Sequence, residues 1–143
     1  MSWIGVDFGT KRVGIAVSQS GTISTPLRVV DRTRGLDEVF AAILDVAREY
    51  EAGTVVVGIP KGARKAYSAN LDQYAEFARD LGETTGLAVE LWDEQYSTTE
   101  ASRLAREAGH RRTPKEMIDA MAAAVILQSW LDSRGAASSR AGR

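Results

Sequence analysis

The stretch "WIGVDFGTKRVGIAVS", Trp3 to Ser18, decides how the rest of the chain reads. Residues 3–8 form an apolar run of the kind found in a buried strand. The turn Gly9-Thr10-Lys11 is short enough for an antiparallel hairpin, and residues 12–18 supply the second strand. Asp7 sets a charge at the end of the first strand, beside a basic turn. It has three readings: a metal ligand, a neighbour of a nucleotide phosphate, or a hairpin cap.

Outward from the hairpin, Ser20-Gly21-Thr22 signals a turn, and Ile23 to Val30 includes a third, weaker strand. Leu36, Val39, Phe40, Ile43, Leu44 and Ala47 recur at helical spacing. Gly53 is the expected end of that helix. Thr54 to Ile59 is a continuous apolar run, as in strands of a parallel sheet. Leu71, Tyr74, Ala75, Ala78 and Leu81 predict a second amphipathic helix, stopped near Gly82 or Gly86. Leu87 to Trp92 predicts another strand and Thr98 to Ala108 a helix. Thr113-Pro114-Lys115-Glu116 is a capping box with proline at the first helical position, and it opens a last helix through Leu131.

The expected fold is α/β: a five-stranded mixed sheet flanked by helices on both faces. The first three strands form an antiparallel meander. The fourth and fifth arrive through helices and lie parallel to the first. Residues 1–133 read as one domain, and residues 134–143 as a small, polar, basic and disordered tail.

Composition narrows the chemistry. The 143 residues are 44% hydrophobic and 26% charged, with no cysteine and a single histidine, His110. Disulfides, thiolate metal sites, cysteine nucleophiles and multi-histidine zinc sites are excluded. No run approaches the roughly 20 apolar residues of a membrane span, and the opening lacks a basic leader, so a cytoplasmic location without membrane partners is expected. Formal net charge is −1. The charge is nonetheless segregated: Arg103, Arg106, Arg111, Arg112 and Lys115 face only Glu107 in their segment, and Lys61, Arg64 and Lys65 cluster without an acid. A basic face suited to nucleic acid is compatible with the neutral total.

Three acids fall where open α/β sheets build their sites, at the carboxyl ends of parallel strands. Asp7 ends strand one, Asp93-Glu94 closes "VELWDE", and Asp119 interrupts "EMIDAMAAAVIL". An ionised carboxylate in such an apolar setting is costly unless it is paired or metal-bound. The alanines around Asp119 let its helix approach another element closely, where it could meet Asp7 and Glu94. Three carboxylates repel one another, and a divalent cation removes the repulsion. Hard oxygen ligands suit Mg²⁺ or Mn²⁺. Two such ions roughly 3.5–4 Å apart can activate water and stabilise the leaving oxygen of a phosphodiester. Each acid also has a plain reading: Asp7 as a turn cap, Asp93 and Glu94 as surface acids, and Asp119 as a favourable charge near a helix N-terminus.

These residues resemble the YqgF/RuvX family of RNase H-like proteins, described as pre-16S rRNA nucleases or Holliday junction resolvases. The resemblance covers about residues 3–132 and rests on "GVDFGTKRVGIAVS", "VVVGIP", "DEQYSTTEA" and "IDAMAAAVILQSWL". It implies an RNase H-like sheet with catalytic, metal-holding acids at Asp7, Glu94 and Asp119, with Asp93 as an additional acid. It implies a hydrolase using Mg²⁺ or Mn²⁺ that processes the 5′ end of pre-16S rRNA during ribosome biogenesis, in contact with ribosomal particles. The alternative is a nuclease of DNA repair and recombination, acting on branched or single-stranded DNA as a homodimer. Two features depart from the family pattern: Gln95 stands where arginine is usual, and "KGARKAYSAN" replaces a polar loop after "GIP". Thr10, Lys11, Arg12, Lys61, Arg64, Lys65, Arg103, Arg106, Arg111, Arg112 and Lys115 are then candidates for phosphate contacts, or else residues of solvated faces. Two rivals from other classes are an actin/Hsp70-like ATP-binding lobe, given the glycine hairpin, and a non-catalytic RNA-binding protein.

Overall fold

The structure is a computed structural model. It describes residues 1–59, 68–93 and 115–141, with side chains for 1–59, 72–93 and 117–134. In chain order come β1 (Ser2–Phe8), β2 (Arg12–Ser18), β3 (Thr25–Asp31), a 3-10 turn (Arg32–Arg34), α1 (Leu36–Tyr50), β4 (Ala52–Ile59), α2 (Ser68–Thr85), β5 (Ala88–Asp93) and α3 (Lys115–Ala141). The strands form one sheet in the order β3-β2-β1-β4-β5. The first three pair antiparallel, and β1, β4 and β5 run parallel. This is the expected mixed sheet. Among the described residues, no helix is long and apolar enough to cross a membrane.

The sheet has two unlike faces because its strands alternate bulky and small residues. Ile4, Val6, Phe8, Val13, Ile15, Val55 and Val57 point to one side. There they meet Val39, Phe40, Ile43 and Val46 of α1 and Phe77 and Leu81 of α2. Phe8 stacks on Phe77 with ring centroids 3.9 Å apart, and Tyr74 meets Phe8 edge-on. The other side carries Gly5, Asp7, Gly14, Ala16 and Val56, and α3 lies across it. Ile126, Leu127, Trp130 and Leu131 pack on Val56 beside Trp3 and Trp92, while Ala123 and Ala124 pack on Ala16.

Small residues let α3 come this close. A Cβ on Gly5 would stand 2.6 Å from the Leu127 Cβ, and one on Gly14 would stand 1.9 Å from the Asp119 carbonyl oxygen. Backbone contacts of that kind leave no room for relaxation by side-chain rotation. Three side-chain bonds fix the helix along the sheet. Trp92 Nε1 donates to Ser129 Oγ, the Ser24 N–H donates to Gln128 Oε1, and Gln128 Nε2 donates to the Thr22 carbonyl.

Several element ends differ from those expected. α1 ends at Tyr50, where Glu51 turns left-handed (φ 56°) and its N–H caps the Ala47 carbonyl. Gly53 lies inside β4, whose pairing with β1 reaches back to Ala52. Of the two candidate stops for α2, Gly86 is used: it has φ 77° and donates to the Gly82 carbonyl at 2.9 Å. Pro26 is accommodated on β3, an edge strand, where proline removes no ladder bond from an interior strand. α3 continues past Leu131 to Ala141, through the segment read as a disordered tail. That segment contains alanines and no proline, so nothing forbids helical continuation. The helix expected over 98–108, and Thr113 and Pro114 of the capping box, lie outside the described residues.

Gly14→Ala should destabilise the fold by about 2 kcal/mol, the usual scale of overpacking. Gly53→Ala, whose added methyl meets nothing within 4 Å, should leave stability unchanged or slightly raised. Urea unfolding of both variants checks this, and equal losses would contradict the packing described.

Candidate active site

Asp7 is the penultimate residue of β1, half-buried, on the face that α3 covers. Its cross-strand partner is Gly14. Asp119 lies in the first part of α3, and its carbonyl oxygen occupies the space above Gly14 where any larger residue would put a side chain. The main chain of Asp119 therefore sits over Gly14, the cross-strand neighbour of Asp7, at the end of the sheet where β1, β4 and β5 all finish. The Asp119 backbone, distant in sequence, reaches the strand pair that carries Asp7 because Gly14 has no side chain.

Arg12 completes this corner. It precedes Gly14 by two residues, so its side chain leaves the same face. Its Nε donates to Asp119 Oδ2 at 2.7 Å. The Arg12 side chain is 61% exposed and that of Asp119 is 23% exposed. The pair lies at the mouth of the site. In sequence Arg12 is a candidate phosphate contact or a residue of a solvated face, with no signal for a partner 107 positions away.

The turn that carries Arg12 is held from below. The Gly9 N–H donates to the Arg12 carbonyl at 3.0 Å, and the Arg32 N–H donates to the Lys11 carbonyl at 2.9 Å. The Arg32 guanidinium lies 4.0 Å over the Phe8 ring and donates through Nη1 to the Gly9 carbonyl. Arg32 was not singled out in the sequence. It works through cation–π and backbone contacts that only the folded hairpin supplies. Thr10 and Lys11 are exposed at the tip of the turn.

Asp93 goes elsewhere. Trp92 faces α3 through its bond to Ser129, so alternation sends Asp93 to the opposite face, with Val89. It is buried there, at 6% exposure. Glu94, Gln95, Lys61, Arg64, Lys65, Arg103, Arg106, Arg111 and Arg112 lie outside the described residues. Lys115 opens α3.

The sequence profile of the RuvX family, described as Holliday junction resolvase, matches residues 1–133. The chain belongs to the RuvX family. Membership places it among nucleases, and so among hydrolases. A relative from Mycobacteroides abscessus is 41% identical over 134 residues, spanning 92% of this chain and 81% of its own. Another, from Anaeromyxobacter sp., is 42% identical over 139 residues, spanning 95% of this chain and 100% of its own. Both bear the name "Putative pre-16S rRNA nuclease". Among solved structures, Thermus thermophilus RuvC in complex with a Holliday junction substrate aligns with a TM-score of 0.62. It covers 94% of this chain and 96% of its own at 17% identity, which speaks to the fold alone.

The donor set around Asp7 and Asp119 suits a hard divalent cation: carboxylate oxygens, with no thiolate in the chain. Among the described residues, these two acids have no third acid or histidine gathered with them. Glu94, the expected third, directly follows the last described residue of β5.

Beside the hairpin, Asp31 caps the 3-10 turn. The Thr33 hydroxyl donates to it at 2.6 Å and the Thr33 N–H at 2.8 Å. These bonds, chiefly the hydroxyl's, lower its pKa below the ordinary 3.8, with a smaller contribution from Arg34. A depressed carboxylate adds stability above its unfolded pKa and loses it as pH falls through the folded value. The stability difference between the parent and Asp31→Ala should therefore be constant above about pH 4 and shrink below 3.8. Urea unfolding across pH 2 to 7 measures it, and a gap that widens on acidification would refute the assignment.

Proposed function

We propose that the protein is a divalent-metal-dependent nuclease that trims the 5′ end of the 16S rRNA precursor, with Asp7, Glu94 and Asp119 as its catalytic, metal-holding acids. The observation that carries this reading is the Asp119 backbone lying over Gly14, the cross-strand neighbour of Asp7, at the carboxyl ends of the parallel strands. The names of relatives at 41% and 42% identity support the rRNA substrate. Glu94 is assigned from sequence: it follows β5 by one residue and Trp92, which faces α3, by two.

When bound, Mg²⁺ or Mn²⁺ would activate the attacking water and stabilise the leaving oxygen of the phosphodiester. The protein's own part is positional. α3 holds the Asp119 backbone against Gly14 and β1 holds Asp7, which would set the carboxylates before any ligand arrives. Lys11 and Thr10, exposed at the hairpin tip, would meet backbone phosphate, and Lys115 joins them by its position in the sequence. Lys61, Arg64, Lys65, Arg103, Arg106, Arg111 and Arg112 extend the basic track, on the evidence of sequence. Such contacts position nucleic acid without reading its bases.

The family's own description favours a second reading, resolution of four-way DNA junctions. Paired cuts on a two-fold junction require two sites, hence a homodimer. Incubating the protein and Mg²⁺ or Mn²⁺ with a 16S precursor mimic, single-stranded DNA and a four-way junction separates the readings. Trimming of the precursor is expected. Paired symmetric nicks on the junction would replace the rRNA assignment with the resolvase one. Asp7→Asn and Asp119→Asn should each lower cleavage by about two orders of magnitude or more, as loss of transition-state charge stabilisation does, with the fold retained by circular dichroism. Cleavage of no substrate, or unimpaired cleavage by either variant, would sink the nuclease reading.

A further inference from the structure

A site acid that already holds a cation must release it to take another. Arg12 Nε donates to Asp119 Oδ2 at 2.7 Å, and it does so from a side chain 61% exposed to water. The bond uses one of the five donors of the guanidinium. Among the described residues, the terminal nitrogens of Arg12 have no partner. Arg12 thus bridges a partly buried carboxylate and open solvent.

The pairing has an electrostatic reason. The Asp119 backbone is held over Gly14, the cross-strand neighbour of Asp7, so two like charges belong to one corner of the sheet and repel. A guanidinium on Asp119 offsets that repulsion. A divalent cation carries twice the charge of Arg12 and can engage both carboxylates at once, so it competes directly for Asp119. An exposed ion pair is weak, and an exposed arginine is free to rotate away once its carboxylate is taken. The guanidinium fork fits a phosphate as well as it fits a carboxylate.

We propose that Arg12 is an exchangeable counter-ion: it neutralises Asp119 until a divalent cation displaces it, and the released guanidinium then binds a backbone phosphate of the substrate. Metal occupancy and nucleic-acid binding are thereby coupled through one side chain. This rests on the reading of Asp119 as a metal ligand. The coupling is reciprocal, so whatever factor metal adds to nucleic-acid affinity, nucleic acid adds to metal affinity.

Titration calorimetry with Mn²⁺ and Mg²⁺, without nucleic acid, tests the exchange apart from activity. Arg12→Ala should bind metal about fivefold or more tightly than the parent, the lower range of such coupling, with Arg12→Lys in between. Fluorescence anisotropy with a short single-stranded RNA, in EDTA and in Ca²⁺, tests the second half. Metal should strengthen binding by the parent about fivefold or more and leave Arg12→Ala nearly unchanged. Equal or weaker metal binding by a folded Arg12→Ala would reduce Arg12 to a tether for α3 and overturn the proposal. So would a full metal-dependent gain in RNA affinity in that variant. Should Arg12→Ala not fold, Arg12→Lys and Arg12→Gln carry the same comparison. The underlying reading is judged separately. If Asp119→Asn binds metal as the parent does, Asp119 is no ligand and both fall. If the parent cleaves nothing while Arg12→Ala shows tighter metal binding, the exchange stands and the nuclease assignment falls.

Discussion

The close approach of α3 to the middle of the sheet governs the rest of the molecule. The helix backbone rests on β1 and β2 where Gly5 and Gly14 present hydrogen instead of a side chain. Ala16, Ala123 and Ala124 extend the same thin seam. Toward the other end of the contact, Ile126, Leu127 and Trp130 bury their side chains against Val56, each burial contributing about 1.5–3 kcal/mol. Apolar burial therefore anchors one part of the helix, and the thin seam fixes how near the other part lies. Asp119 is carried to Asp7 by this arrangement and not by any attraction between two like charges.

That placement produces an electrostatic conflict and shapes the residues around it. Asp7 is half-buried, and the Asp119 side chain keeps only 23% exposure. Arg12 meets Asp119 from the adjacent strand. The hairpin bearing Arg12 is in turn held by Arg32, which lies over Phe8 and reaches the Gly9 carbonyl. Phe8 itself stacks on Phe77 of α2. A chain of contacts thus runs from the core on one face of the sheet, through the hairpin, to the acids on the other.

Much of the fold was legible in sequence. Apolar runs, a three-residue hairpin turn and helical spacing in Leu36 to Ala47 and Leu71 to Leu81 gave the element types and the mixed sheet. Their ends were less legible. Gly53 was the plausible stop for α1, yet Glu51 takes the left-handed turn, because β4 pairs with β1 as early as Ala52 and the helix must end before it. Gly82 and Gly86 were equally good stops for α2, and only the hydrogen bond between them marks Gly86 as the cap. The acids were visible because charges in apolar surroundings stand out. Which face Asp93 takes was not visible, since it depends on strand register, and one residue of shift reverses every side chain.

By itself, the sequence determined the five strands and their directions, the helical spacing of Leu36 to Ala47 and Leu71 to Leu81, the candidate acids and the absence of cysteine. These are properties of local pattern and composition, and local pattern survives in a linear string. Tertiary structure alone decided that Asp119 rides over Gly14, that Arg12 pairs with Asp119, that Arg32 braces the hairpin and that Asp93 turns to the other face. Each is a contact between residues distant in the chain, or a matter of register, set by the packing of α3 and the sheet as a whole. No single segment carries that information.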